Sequence, residues 1–309
     1  MQETPSLEAV LAQRSYEAVG ARAPEGSATR VRVKREDGRR GLLYRWPDVE
    51  PALRAAWCHA ADHGAQLFAV PELVESGPGW ILVGDVEGTP LSELAEGRGV
   101  DVLEAVGSPG ARIVEGVGSL LRKLHNIPAR DTFGDVLSSE EKQTDEPSQW
   151  LTFNGYVAAQ LEYLSEHLRR RGLPDETLEE LSTSIADMRH ELASFHPRNP
   201  ASLTHGHLSL EHVWVDPDSR EVLALTGFEH ACFLPREADI AFLLWIDGIG
   251  RDDALTRAFY KGYGAARTMD VQRRERFYRR LVAFQALFGM KGEVALDEAE
   301  LVGLTRPIG

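Results

Sequence analysis

Cysteine is nearly absent: Cys58 and Cys232 are the only two in 309 residues. That is too few for a disulfide framework or a four-cysteine zinc site, and it fits a reducing compartment. Long apolar runs are missing as well. No stretch approaches the roughly 18 residues of a membrane span, and Met1 to Arg14 lack the basic region and apolar core of a secretory signal. A cytoplasmic protein with no membrane partner is expected. A basic surplus is also lacking: 34 Lys and Arg stand against 48 Asp and Glu, a net charge of −14. Phosphate backbones require the opposite balance along one face, so nucleic acid is not an expected partner, and Arg169-Arg170-Arg171 reads as solvated helix surface. There is no internal repeat and no long low-complexity tract.

What remains is 43% hydrophobic and 27% charged, ordinary for a soluble globular chain, at a length that suggests two associated lobes. Residues 28 to 46 alternate and then run apolar around Glu36-Asp37-Gly38, which predicts a β-hairpin. Val49 to His63 turns helical and stops at Gly64. Residues 73 to 83 form a second strand pair about Gly77-Pro78-Gly79. Beyond about residue 91 helical periodicity takes over. Ile113, Val117, Leu120, Leu121 and Leu124 line one face, and Val157, Leu161, Leu164 and Leu168 another. A third stripe, Leu178, Leu181, Ile185, Met188, Leu192 and Phe195, recurs at spacings of three and four and reads as core. Ser138 to Ser148, acidic and Pro-containing, reads as a loop.

Two short strands break the helical region. His212 to Asp216 and Glu221 to Thr226 flank Pro217-Asp218-Ser219-Arg220, a turn sequence that makes them a hairpin. Thr204-His205-Gly206-His207-Leu208 precedes it; Gly227-Phe228-Glu229-His230-Ala231 follows, and a helix opens near Arg236. Polar turns around a hairpin in a helical lobe mark the place to seek a site.

These segments resemble the aminoglycoside phosphotransferase and choline-kinase-like family. Its catalytic loop, His-Gly-Asp-Leu-His-x-x-Asn, matches His205-Gly206-His207-Leu208-Ser209-Leu210-Glu211-His212, and its Ile-Asp-Phe/Trp segment matches Thr226-Gly227-Phe228. Gly79 to Gly88 is similar to the strand and hinge joining the lobes, Leu120 to His125 to the first helix of the large lobe, and Asp239 to the residue that braces the catalytic loop. Thr132 to Leu137, Phe259 to Tyr263 and Phe277 to Leu281 match in order. The resemblance implies an α+β, bilobal, protein-kinase-like fold: a small β-rich N-lobe with one helix over residues 1–88, and a larger helical C-lobe over 89–309 with the catalytic-loop hairpin inserted.

The same resemblance assigns roles that the residues here do not match. The family's general base falls at His207, its metal-binding amide at His212 and its metal-binding carboxylate at Gly227. Mg²⁺ takes hard oxygen ligands in octahedral geometry, and phosphoryl transfer relies on it to neutralise charge. An imidazole and a hydrogen atom therefore remove the metal site, whereas His207 alone could still accept a proton. The expectation is a pseudokinase that needs no cofactor and serves as a binding or regulatory module for a protein partner or small molecule. Other cofactor-binding candidates are Arg45, near the family's phosphate-binding Lys, with Val83 and Asp85 at the hinge and Glu229 two residues past Gly227. If Glu229 replaces the lost carboxylate and His207 is the base, an atypical phosphotransferase using ATP and Mg²⁺ on an alcohol results. A third possibility is a transition-metal site on His205, His207 and His212, since imidazole suits zinc, copper or nickel.

Overall fold

The computed structural model describes residues 5–25, 28–45, 60, 70–96, 110–127, 132–135, 149–168, 170, 172–194, 201–288 and 296–306. The sequence-predicted helix at 49–63, the loop at 138–148 and the stripe residue Phe195 lie outside that set, apart from Ala60. The chain opens with α1 (Leu7–Gln13), capped by the Ser6 hydroxyl, which accepts from the Ala9 N–H at 3.1 Å. An antiparallel sheet follows, made of β1 (Glu17–Glu25), β2 (Ala28–Lys34), β3 (Arg40–Arg45), β4 (Leu73–Gly77) and β5 (Trp80–Gly84) in the order β1-β2-β3-β5-β4. Both hairpins expected in this region from the sequence are present, and β1 pairs with β2 at the edge of the sheet.

Strand alternation gives this sheet two distinct faces. Val31, Val33, Leu43, Trp80 and Leu82 pack against Leu7 and Val10 of α1. Leu42, Tyr44, Ile81 and Val83 turn the other way and join the main core with Trp214 and Val215. Their opposite numbers on β2 are Arg32, facing Leu42, and Arg30, facing Tyr44.

The connecting segment leads through β6 (Thr89–Pro90) into α2 (Leu91–Glu96), then α3 (Gly110–His125). Next come β7 (Phe133–Asp135), β8 (Gln149–Trp150), α4 (Phe153–Leu168) and α5 (Asp175–Ser194). The inner stripe of α5, Leu181, Ile185, Met188 and Leu192, is buried against α4, as its spacing predicts. The site region holds β9 (Ser202–Thr204), β10 (Val213–Val215), β11 (Val222–Leu225) and β12 (Cys232–Leu234). Helices α6 (Glu237–Ala241), extended by a π-helical turn over Phe242–Ile246, α7 (Asp253–Tyr263), α8 (Met269–Leu287) and α9 (Glu298–Thr305) complete the fold.

Two small sheets sit among these helices. One, β11-β10-β6, ties the predicted hairpin to the connecting segment through Trp214 opposite Pro90. The other, β8-β7-β12-β9, frames the far side of the loop at 205–212. No helix among the described residues is long and apolar enough to cross a membrane.

Helices α3 and α7 approach closely because each offers a glycine to the other's backbone. A Cβ at Gly262 would stand 1.8 Å from the Glu115 carbonyl oxygen, and one at Gly118 would stand 2.4 Å from that of Phe259. Alanine normally favours a helix over glycine by up to about 1 kcal/mol, but overpacking against backbone costs about 1–3 kcal/mol. Gly118→Ala and Gly262→Ala should therefore lower the denaturation midpoint, while Gly303→Ala in α9, where a Cβ meets nothing within 4 Å, should raise it slightly. Urea unfolding of the three variants measures the contrast.

Candidate active site

Asp239, at the buried start of α6, organises the site. Its Oδ2 accepts from the His205 N–H at 2.7 Å and its Oδ1 from the Gly206 N–H at 2.8 Å. His125, at the end of α3, reaches Oδ2 through Nε2 at 3.0 Å, while its Nδ1 meets the Tyr263 hydroxyl at 2.7 Å. An ionised carboxylate can only accept, so the His125 proton sits on Nε2 and Tyr263 donates to Nδ1. Burial pushes the Asp239 carboxyl up, but the hydrogen bonds from His125 and the Gly206 amide outweigh it and leave the pKa below its ordinary value. Gly206 is held at φ +81°, and a Cβ there would fall 1.9 Å from the His230 carbonyl oxygen. A second brace comes from Asp247, whose Oδ1 accepts from the Ser209 hydroxyl at 3.1 Å and whose Oδ2 accepts from the Leu210 N–H at 3.0 Å. The sequence suggested Asp239; His125, Tyr263 and Asp247 carry no local motif and emerge only from the fold.

The loop so held brings His205, His207 and His212 together. Ring centres of His205 and His212 are 5.2 Å apart, those of His207 and His212 5.5 Å, and His230 joins at 5.5 Å from His207. His205 Nε2 lies 2.6 Å from the Thr226 carbonyl oxygen and must donate to it. The Thr226 N–H in turn donates to the His212 carbonyl at 3.0 Å, and the Trp214 indole N–H to the Thr226 hydroxyl at 3.1 Å. These bonds fasten the two ends of the hairpin to each other.

His212 and Gly227 meet face to face. Gly227 is left-handed, φ +79° and ψ +41°. A Cβ placed on it would lie 2.1 Å from His212 Cδ2 and 2.5 Å from Nε2. The imidazole thus fills the space in which any side chain at position 227 would begin. The ring is 4% exposed, and its Nδ1 finds no hydrogen-bond partner among the described residues. Burial, reinforced by His205, His207, His230 and Arg30, holds its pKa well below the ordinary value, so His212 is neutral.

This arrangement does not suit Mg²⁺. Position 227 supplies no oxygen, position 212 supplies a neutral ring, and that ring occupies the space between them. The transition-metal set of His205, His207 and His212 also requires correction: among the described residues no group of three or more His, Cys, Asp or Glu could hold a metal ion. His205 Nε2 donates to Thr226, which leaves only Nδ1 of that ring for a metal. His207, 7% exposed, packs against Phe242 at 4.9 Å between ring centres. The Glu229 side chain lies outside the described part of the structure; the backbone from Phe228 to His230 forms a 3₁₀ turn.

The remaining cofactor candidates separate by strand face. Arg45 shares the outer face of β3 with Leu43, and its Nε donates to the Pro5 carbonyl at 3.2 Å, so it faces away from the side where a phosphate contact was expected. Tyr44 takes the inward position instead. Val83 is fully buried in the main core, and the Asp85 carboxylate is engaged by Arg32 Nε at 2.8 Å.

A family model described as the phosphotransferase enzyme family matches residues 21–278. The chain belongs to that family. Solved structures share its fold at low identity. One is a Thermobifida fusca protein assigned as a fructosamine-3-kinase, with a TM-score of 0.66 and 18% identity over 97% of this chain and 98% of that one. Another is a thermostable mutant of aminoglycoside phosphotransferase APH(4)-Ia in ternary complex with ADP and hygromycin B, with a TM-score of 0.66 and 12% identity over 96% and 95%. A choline/ethanolamine kinase family protein from Mesorhizobium loti gives a TM-score of 0.62 and 17% identity over 96% and 88%. No curated protein sequence matches.

His212 makes the site sensitive to acid. A histidine whose pKa is depressed in the folded state binds fewer protons than it does unfolded, so its contribution is present above the unfolded value near 6.5 and is lost as pH falls. Asp239, also depressed, follows the same sign from the unfolded carboxylate value near 3.9 downward. Burial pushes the Asp247 and Glu275 carboxyls up to about 7 and about 8, which adds the opposite slope over the same range, so the His212 contribution is read as a difference. The stability of the wild type relative to His212→Asn, measured by urea unfolding, should fall below about pH 6.5 with a slope approaching 1.4 kcal/mol per pH unit for one proton, while the limb below about pH 4 persists in both.

Proposed function

We propose that this member of the phosphotransferase family is a pseudokinase that has given up Mg²⁺-dependent phosphoryl transfer and acts as a binding or regulatory module. The observation that carries it is the His212 ring seated where a residue-227 side chain would begin. Phosphoryl transfer depends on positioning and on charge neutralisation around the transferred group, and the metal supplies much of the latter. Losing a ligand and filling its space is a deeper change than losing a base, because a general base contributes only about 10²- to 10⁴-fold. The intact frame, with Asp239, Gly206 and the hairpin in register, supports retention of the fold for a purpose other than transfer. The partner is a protein or a small molecule, and the activities of the fold relatives, on aminoglycosides or choline and ethanolamine, do not choose between them.

ATP turnover tests this directly. With Mg²⁺, ATP and hydroxylated acceptors such as an aminoglycoside or choline, the protein should release ADP no faster than a matched His207→Ala preparation. Mg²⁺-dependent ADP formation that disappears in His207→Ala would show a working enzyme.

A further inference from the structure

Loss of the metal ligands would not by itself stop a nucleotide base from lodging between the five-stranded sheet and β10, where side chains of β2 meet Trp214. The inner face of β2 carries two arginines where its neighbours on β3 and β5 carry apolar residues. The Arg30 guanidinium lies 4.8 Å from the ring centre of Trp214 and that of Arg32 lies 5.7 Å from it, both within the range of a cation–π contact. Trp214 belongs to β10, across the cleft, and is 2% exposed.

Each arginine is also pinned from the side. Arg30 donates to Glu93 of α2 at 2.5 Å and is 6% exposed. Arg32 donates from Nε to Asp85 at 2.8 Å and from a terminal nitrogen to the Val86 carbonyl at 3.1 Å. Those acceptors belong to the connecting segment, so its Asp85 and the carbonyl of Val86 are engaged from within. Planar guanidinium groups on the indole face occupy the kind of aromatic surface on which a flat heterocycle would stack.

We propose that Arg30 and Arg32, stacked on Trp214 and anchored by Glu93 and the 85–88 segment, form an internal plug that closes the cleft between the lobes and excludes nucleotide. The plug holds the sheet against β10 without a ligand, so the closed arrangement is the resting state. This builds on the loss of phosphoryl transfer but is separable from it, since a chain without a metal site could still bind ADP.

Calorimetric titration with ADP in EDTA removes the metal from the question. The wild type should show no binding up to about 1 mM ADP, a free energy weaker than about −4 kcal/mol. Arg30→Ser with Arg32→Ser should bind ADP at least tenfold more tightly, and its amides at 84–88 and 213–215 should exchange hydrogen at least tenfold faster. Should the double variant fail to fold, Arg32→Ser alone, at a side chain 33% exposed, should give the same exchange effect over 84–88. Micromolar ADP binding by the wild type overturns the plug while leaving the metal argument intact. A folded variant with unchanged exchange and affinity also overturns it. Mg²⁺-dependent turnover by the wild type, by contrast, would defeat the pseudokinase reading itself.

Discussion

One buried carboxylate holds the centre of this molecule. Asp239 accepts from two successive loop amides and from His125, and His125 passes the connection to Tyr263. Through these contacts the loop at 205–206, the end of α3, the start of α6 and the end of α7 are fixed to one point. A buried charge is tolerable only when its acceptor positions are satisfied, and removing such a partner typically costs several kcal/mol. The brace keeps its geometry whatever chemistry the loop presents, because it grips backbone N–H groups and not the side chains of His205 or His207.

That separation of frame from contents explains how the site could change without loss of fold. Gly227 and His212 are complementary: the hydrogen at one position makes room for the ring at the other. Neither substitution is independent, since a larger residue at 227 would collide with the imidazole, and a smaller one at 212 would leave a void beside a left-handed glycine. The hydrogen bonds through Thr226 keep both ends of the hairpin in place around them. Tyr44 faces inward where Arg45 turns away to Pro5, and the cations that do face inward come from β2 and rest on Trp214.

Much of this was legible in the residues, for physical reasons. Helix stripes and turn chemistry located α3, α4, α5 and the 213–225 hairpin, because period and punctuation are local properties. The His205–His212 and Thr226–His230 segments were readable through their order and spacing. Side-chain direction was not: whether Tyr44 or Arg45 faced the cleft depended on strand register, and a shift of one residue reverses the answer. The same holds for Arg30 and Arg32, which in sequence look like solvated positions on a strand. His125, Tyr263 and Asp247 escaped notice because their roles depend on partners 37 to 138 residues away. The three-histidine pattern misled in the opposite sense, since proximity in sequence did not arrange the three rings around one point.

The central claim is that positions 212 and 227 no longer hold a divalent ion. Crystals soaked in Mn²⁺ and ADP, with anomalous scattering recorded for the wild type and for a His212→Asn, Gly227→Asp variant, test it most directly. The account predicts no manganese peak beside residues 212 and 227 in the wild type and a peak at about 2.1–2.2 Å from the introduced oxygens in the variant. An ordered manganese ion coordinated at that place in the wild type would contradict it.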